Sequence, residues 1–246
     1  MMVDERQGRA RPTNGESWTS ATSGYCTSPQ KRVADAYLHA AIDGDRTEAL
    51  RIIRDDAFAA GLSVGQIYLG VIQEAQYEIG RRWEDGHITI SQEHLATAIS
   101  QLAIAQLYAM MPRGSAAGHR VLIACVPGET HDMGPRILAD FFEMAGFEVR
   151  YLGADVPVEE IINAAEAAEP DLIALSATMS YNLPAFRKTV ECLRTRFGDD
   201  VLIAAGGQAF ALTPELLDEL AIPVRANDAR QLVEQSRSVL GLTNGE

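Results

Sequence analysis

The feature that most constrains this chain is a change in apolar period near residue 112. Before it, apolar residues return at three- and four-residue steps, as in Val64, Ile67, Tyr68, Val71, Ile72, Ala75 and Ile79, which is the stripe of an amphipathic helix. The spacing predicts four helices near 31–42, 45–60, 63–84 and 91–110. Gly44, Gly61-Leu62-Ser63 and Asp85-Gly86 separate them, and Ser91 is the expected cap of the last. Connections this short make neighbouring helices antiparallel, so residues 31–112 read as a four-helix bundle.

The turn-rich run Pro112-Arg113-Gly114-Ser115-Ala116-Ala117-Gly118 marks a boundary, with a linker over 113–119. Beyond it, unbroken apolar runs at 121–126, 148–151, 171–176, 201–205 and 222–224 alternate with helical segments near 134–145, 157–168, 183–196, 213–220 and 227–240. That alternation predicts, over 120–246, an α/β domain with a five-stranded parallel sheet covered by helices on both faces, in the flavodoxin-like (Rossmann-like) manner. Right-handed crossovers and a switch point between strands one and three put the ligand crevice outside the carboxyl ends of those strands.

Composition narrows the partners. With 246 residues and 47% hydrophobic content the chain can hold two small domains, and its formal net charge of −13 argues against a direct nucleic-acid partner. No apolar run is long enough to span a bilayer and the first 30 residues lack a signal peptide's apolar centre, so the expected location is cytoplasmic. Cys26, Cys125 and Cys192 are an odd set without metal-ligand spacing and read as reduced thiols. Residues 1–30 have too little apolar periodicity to offset the entropy of ordering and read as a disordered arm.

The first strand runs straight into Pro127-Gly128-Glu129-Thr130-His131-Asp132-Met133-Gly134, at the mouth of the expected crevice. Glu129 and Asp132 are placed to hold the His131 imidazole by one ring nitrogen and fix its tautomer, leaving the other nitrogen for a metal. One histidine cannot hold a bare zinc ion, and no further ligands stand at ligand spacing. A metal carried inside a macrocycle needs only one axial protein ligand. At other strand ends lie Ser176-Ala177-Thr178 and Gly206-Gly207-Gln208, whose hydroxyls and bare backbone could admit a bulky ligand.

Together these segments resemble the cobalamin-binding domain of methionine synthase, methylmalonyl-CoA mutase and related corrinoid proteins, marked by Asp-x-His-x-x-Gly, Ser-x-Leu or Ser-x-Thr, and a Gly-Gly pair. Here they appear as Glu129-x-His131-x-x-Gly134, Ser176-x-Thr178 and Gly206-Gly207. The resemblance implies that His131 is the lower cobalt ligand and that Glu129 and Ser176 tune it through hydrogen bonds. It also implies that the displaced nucleotide tail enters the sheet beside Ser176 and Gly206-Gly207, with Thr130, Asp132 and Met133 contributing to the same site. Glu129 stands where the family usually has Asp.

The helical half is similar to a narrower group. Nine residues separate Trp83 from Glu93-His94, the Trp-x9-Glu-His spacing of light-sensing adenosylcobalamin regulators of the CarH and LitR type. That resemblance implies that Trp83 packs against the adenosyl group and that Glu93 and His94 line the same pocket. Where some of those photoreceptors carry a histidine after the tryptophan that takes the upper cobalt position once light has expelled the adenosyl group, this chain has Glu84. The resemblance then leaves either His87 or His94 as a substitute, or no stable bis-histidine product. The helix-turn-helix of the DNA-binding members is absent.

The expectation is therefore a cobalamin-dependent sensor, not itself an enzyme and without catalytic residues. Light would cleave the cobalt–carbon bond of adenosylcobalamin and alter assembly into a homo-oligomer or the choice of a protein partner. The alternative is a corrinoid methyl carrier of a methyltransferase system, although such carriers usually continue with Lys-Asn where Pro135-Arg136 follows Gly134. A flavodoxin-like phosphate or nucleotide binder leaves His131 unexplained. A second chromophore such as a bilin fits beside the cobalamin by analogy with standalone relatives, without a signature of its own.

Overall fold

The computed structural model describes residues 28–226 and 228–242. The expected arm therefore lies, up to residue 27, outside the described residues. Four helices form the first unit: α1 (Pro29–Ile42), α2 (46–59), α3 (64–84) and α4 (Ile90–Tyr108). Both α2 and α3 contain a π-helical turn, at Ile52–Asp56 and Tyr68–Gln73.

Local chemistry sets the helix starts. Ser28 accepts the Lys31 N–H at the head of α1, and Asp45 accepts that of Glu48 at the head of α2. α3 and α4 begin with reciprocal boxes, Ser63 with Gln66 and Thr89 with Gln92, in which each side chain bonds the other residue's backbone N–H. Ser91 is thus not the cap of α4. Thr89-x-x-Gln92 satisfies two orphan donors, whereas Ser91 already lies inside the first turn.

The second unit is a parallel sheet of β1 (Arg120–Cys125), β2 (Glu148–Tyr151), β3 (Leu172–Ser176), β4 (Leu202–Gly206) and β5 (Val224–Arg225) in the order β2-β1-β3-β4-β5. The intervening helices are α5 (Met133–Met144), α6 (Val158–Ala168), α7 (Leu183–Phe197), α8 (Ala209–Leu212), α9 (Glu215–Glu219) and α10 (Ala229–Val239). The helix expected near 213–220 is α9, capped by Pro214, and a further short helix that the period did not mark, α8, precedes it and ends at Thr213. The last strand sits two residues later than its apolar run suggested.

Strand alternation divides the core in two. Val121, Ile123, Leu172, Ala174, Ala204 and Val224 face α5 and α10, and this cluster continues without a break into the bundle through Val64, Ile67, Tyr68, Ile104 and Leu107. Leu122, Ala124, Ile173, Leu175, Ile203 and Ala205 face α6 to α9 on the other side. The bundle is therefore a fourth layer, seated on α5 and α10.

Candidate functional site

Strand register brings the sequence motifs to one edge. Cys125 pairs with Ser176 and Ser176 with Gly206, so β1, β3 and β4 end level with one another. The chain leaving β1 turns at Gly128, whose φ of +83° is a left-handed conformation suited to glycine. Asp155, in the loop after β2, fixes that turn: its carboxylate accepts the Gly128 N–H at 2.7 Å and its own N–H donates to the Glu129 carbonyl at 2.8 Å.

Glu129 is wholly buried and its carboxylate is surrounded by donors. Oε1 accepts the His131 backbone N–H at 2.9 Å and His131 Nδ1 at 2.6 Å. Oε2 accepts the backbone N–H groups of Thr178 and Met179 at 2.8 and 3.0 Å and Asn182 Nδ2 at 2.9 Å. Burial alone would raise the pKa of this acid, but the bonds from Met179, His131 and Asn182 outweigh it and hold the group at about 2. An ionised carboxylate only accepts, so Nδ1 of His131 is the donor to it, and the tautomer this selects in the neutral ring leaves the lone pair on Nε2. The imidazole is about half exposed, 53% by side chain.

The other expected members divide. Asp132 does not hold the imidazole: Tyr151 donates to its carbonyl at 3.1 Å and its carboxylate at 3.0 Å. Ser176 is buried at the end of β3, and its carbonyl accepts the Val126 N–H. The acceptor relay behind His131 closes on Asn182 where the resemblance implied Ser176. Thr178 contributes through its backbone, Thr130 is exposed, and Met133 packs half-buried against the shared core. A Cβ at Gly207 would lie 2.2 Å from the Ala177 carbonyl oxygen, so this glycine serves the close approach of two strand ends. A Cβ at Gly206 would meet only Leu232, at 3.7 Å, and one at Gly134 would meet nothing within 4 Å. The protein alone gives no steric reason for these two.

On the bundle side, Trp83 ends α3 and is 45% exposed, with Glu84, His87 and His94 also exposed. Glu93 is tied inward: Thr97 Oγ1 lies 2.9 Å from Glu93 Oε1 and 3.1 Å from Gln76 Oε1, and Gln76 donates to Ser100, which contacts Tyr37. Among the described residues no hydrogen bond or ion pair joins Trp83, Glu84, His87, Glu93 or His94 to residues 129–134. The bundle comes near the sheet edge at Tyr77 of α3, whose hydroxyl lies close enough to the Gln208 side chain, just after Gly206-Gly207, to be influenced by it. Asn182, Tyr151, Asp155 and Tyr77 are the members that sequence spacing did not reveal.

Among the described residues no group of three or more His, Cys, Asp or Glu side chains could hold a metal ion. What is present fits one protein ligand for a metal supplied within its own macrocycle: one imidazole nitrogen is anchored and, among the described residues, the other has no hydrogen-bond partner.

A B12-binding domain family matches residues 119–232 and a second B12-binding domain family matches 33–108. The chain belongs to the B12-binding proteins, with a helical cap domain ahead of the α/β cobalamin-binding domain. It is 31% identical over 166 residues to dimethylamine corrinoid protein 3 of Methanosarcina mazei, an alignment covering 66% of this chain and 98% of that one. It is 32% identical over 148 residues to the HTH-type transcriptional repressor CarH of Myxococcus xanthus, covering 60% of this chain but only 48% of CarH. The structure of Methanosarcina barkeri monomethylamine corrinoid protein superposes with a TM-score of 0.76 at 19% identity, over 85% of this chain and 99% of that one, a likeness of fold. No helix among the described residues is long and apolar enough to cross a membrane.

Proposed function

We propose that this protein is a corrinoid carrier that presents a cobalt-bound group to a protein partner, rather than an enzyme in its own right. The observation that carries the reading is the imidazole of His131, pinned through Nδ1 to a buried, ionised Glu129 with Nε2 left unpartnered. Alignment over nearly the whole of a dimethylamine corrinoid protein supports the carrier role. When bound, the corrinoid would supply a cobalt that accepts and releases an alkyl group. The chain's own part is to hold the lower ligand in one tautomer and one orientation. Gly134 and Gly206, where a side chain would meet no close protein atom, are the positions at which the displaced nucleotide tail would approach the sheet.

A second reading, the light sensor, is favoured by Trp83 and Glu93-His94 at the spacing of the light-sensing regulators and by Pro135-Arg136 after the motif. In that reading adenosylcobalamin is the resident form and a second copy or a regulator reads the change. Neither family match speaks to the adenosyl form or to a bilin.

One experiment serves both readings. Protein reconstituted with hydroxocobalamin should show an altered absorption spectrum, and His131→Ala should weaken binding by at least about 10-fold. An unchanged spectrum and affinity in the variant would remove the axial-ligand assignment. Reconstitution in the dark with adenosylcobalamin, followed by green light and size-exclusion chromatography, separates the roles: a change in elution supports the sensor. Unchanged elution, with methyl transfer from the methylcobalamin-loaded protein to a thiol acceptor through a methyltransferase, supports the carrier.

A further inference from the structure

Helix α4 has two apolar faces, and the bundle uses one. Ala96, Ile99, Ala103, Ile104 and Leu107 are buried in the core. On the opposite side Leu95, Ala98, Leu102 and Ala105 form a second row, all exposed, with Leu95 at 48% and Leu102 at 38%. Their steps of three, four and three residues are those of a helix seam that meets another helix. A helix apolar on all sides is ordinarily covered on all sides.

We propose that this outer row is the contact between two copies of the chain, packed antiparallel about a two-fold axis level with Ser100. The argument is one of size and charge. Residues 95 and 105 are equidistant from position 100, as are 98 and 102. The two-fold therefore sets Leu95 of each copy over Ala105 of the other, and Ala98 of each over Leu102 of the other. Large then meets small at every level, which permits close helix approach, about 8 Å between axes. A parallel pair would set Leu on Leu and Ala on Ala, leaving gaps that close packing penalises. An isologous contact needs self-complementarity of this kind.

Charge points to the same occupant. The chain carries 34 acidic and 21 basic residues, yet none of either kind occurs from His94 to Tyr108. Two copies, each with a formal charge of −13, repel elsewhere, and this neutral stretch lets them approach without opposing carboxylates. One helix pair falls short of the roughly 1,000 Å² that a stable interface buries, so the association is concentration-dependent. The proposal is independent of the carrier and sensor readings.

Sedimentation velocity on the full chain, with and without cobalamin, is the test. The parent protein should show a monomer–dimer equilibrium, and Leu102→Glu should weaken it by at least about 10-fold while far-ultraviolet circular dichroism and the cobalamin spectrum stay unchanged. On a background with Cys26→Ser and Cys192→Ser, a mixture of Ala98→Cys and Leu102→Cys proteins should cross-link between unlike chains in preference to like ones. A chain that stays monomeric at all concentrations overturns the proposal, as does a dimer indifferent to Leu102→Glu. Preferential Ala98→Cys pairing with itself overturns the antiparallel arrangement. If Leu102→Glu misfolds, Leu102→Gln and the cross-linking pair decide the question.

Discussion

Two regions of this protein bury a carboxylate, and they treat it in opposite ways. At the end of β1, Glu129 receives five hydrogen bonds and is held ionised, at about 2. At the seam between bundle and sheet, Asp140 of α5 is 5% exposed and its side chain is bonded by the Tyr68 hydroxyl at 2.5 Å. Burial pushes this acid up to about 6, against the lowering influence of Tyr68. Burial penalises both charges, and the number of donors aimed at each decides which one survives. The site is built to keep a charge behind His131, whereas the seam is built to join two layers and tolerates a group that is neutral in mild acid.

The largest break in this comparison comes from Glu129→Ala. It strands the N–H groups of Thr178 and Met179 and the Asn182 amide without an acceptor and frees the His131 ring. The expected cost is about 3–5 kcal/mol in urea unfolding of the cofactor-free chain. The parent's pH dependence carries the same sign. The folded pKa lies below the ordinary 4.5, so the stabilisation is complete above that value and disappears as pH falls toward about 2. A loss under about 1 kcal/mol in the alanine variant would mean that the donors find water instead.

How far each region could be read from sequence follows from how local its determinants are. Glu129 and His131 are two residues apart on one turn, and the alternation of strands with helices already sets Ser176 and Gly206 at neighbouring strand ends, level with Cys125 just before that turn. The rest of the relay comes from far away in sequence: Tyr151 lies 19 residues from Asp132, and Asn182 lies 53 from Glu129. Spacing carries no information at that range. Asn182 did leave a trace, since it precedes Leu183-Pro184 at a helix start, where an amide commonly bonds nearby groups. Asp140 also left one, lying three residues after Ile137 and next to Phe141 on the buried face of α5. The bundle's helices follow from period and caps, but the position of Trp83 relative to His131 depends on how two units dock, which no local pattern encodes.

Asp140→Asn sharpens the comparison with an effect of smaller size and opposite direction. Because the folded pKa is raised above 3.8, the parent loses stability as pH rises from about 4 to about 6. The amide escapes that loss while still accepting from Tyr68. At pH 7 the variant should be more stable by about 2 kcal/mol, and at pH 4 the two proteins should unfold alike. Denaturant curves at both pH values check this. A destabilised variant at pH 7 would mean that the ionised acid is a needed partner at the seam, and the contrast with Glu129 would fail.

The smallest expected effect belongs to Tyr77 of α3, which lies beside Gln208 in the loop after β4. Its ring is 44% exposed, and Gln73 donates to the same hydroxyl at 3.2 Å. Removing the hydroxyl in Tyr77→Phe therefore costs about 0.5 kcal/mol or less of global stability. The informative readout is local, because a contact that holds Gln208 near the bundle slows opening of the segment behind it. Amide hydrogen exchange over 207–212 should quicken in the variant while exchange in β1 and β3 stays as in the parent. Unchanged exchange over that segment would leave the core under α5 and α10 as the determinant of how the bundle sits on the sheet. The loop beside Gly206 would then be free to adjust to a ligand independently of the cap.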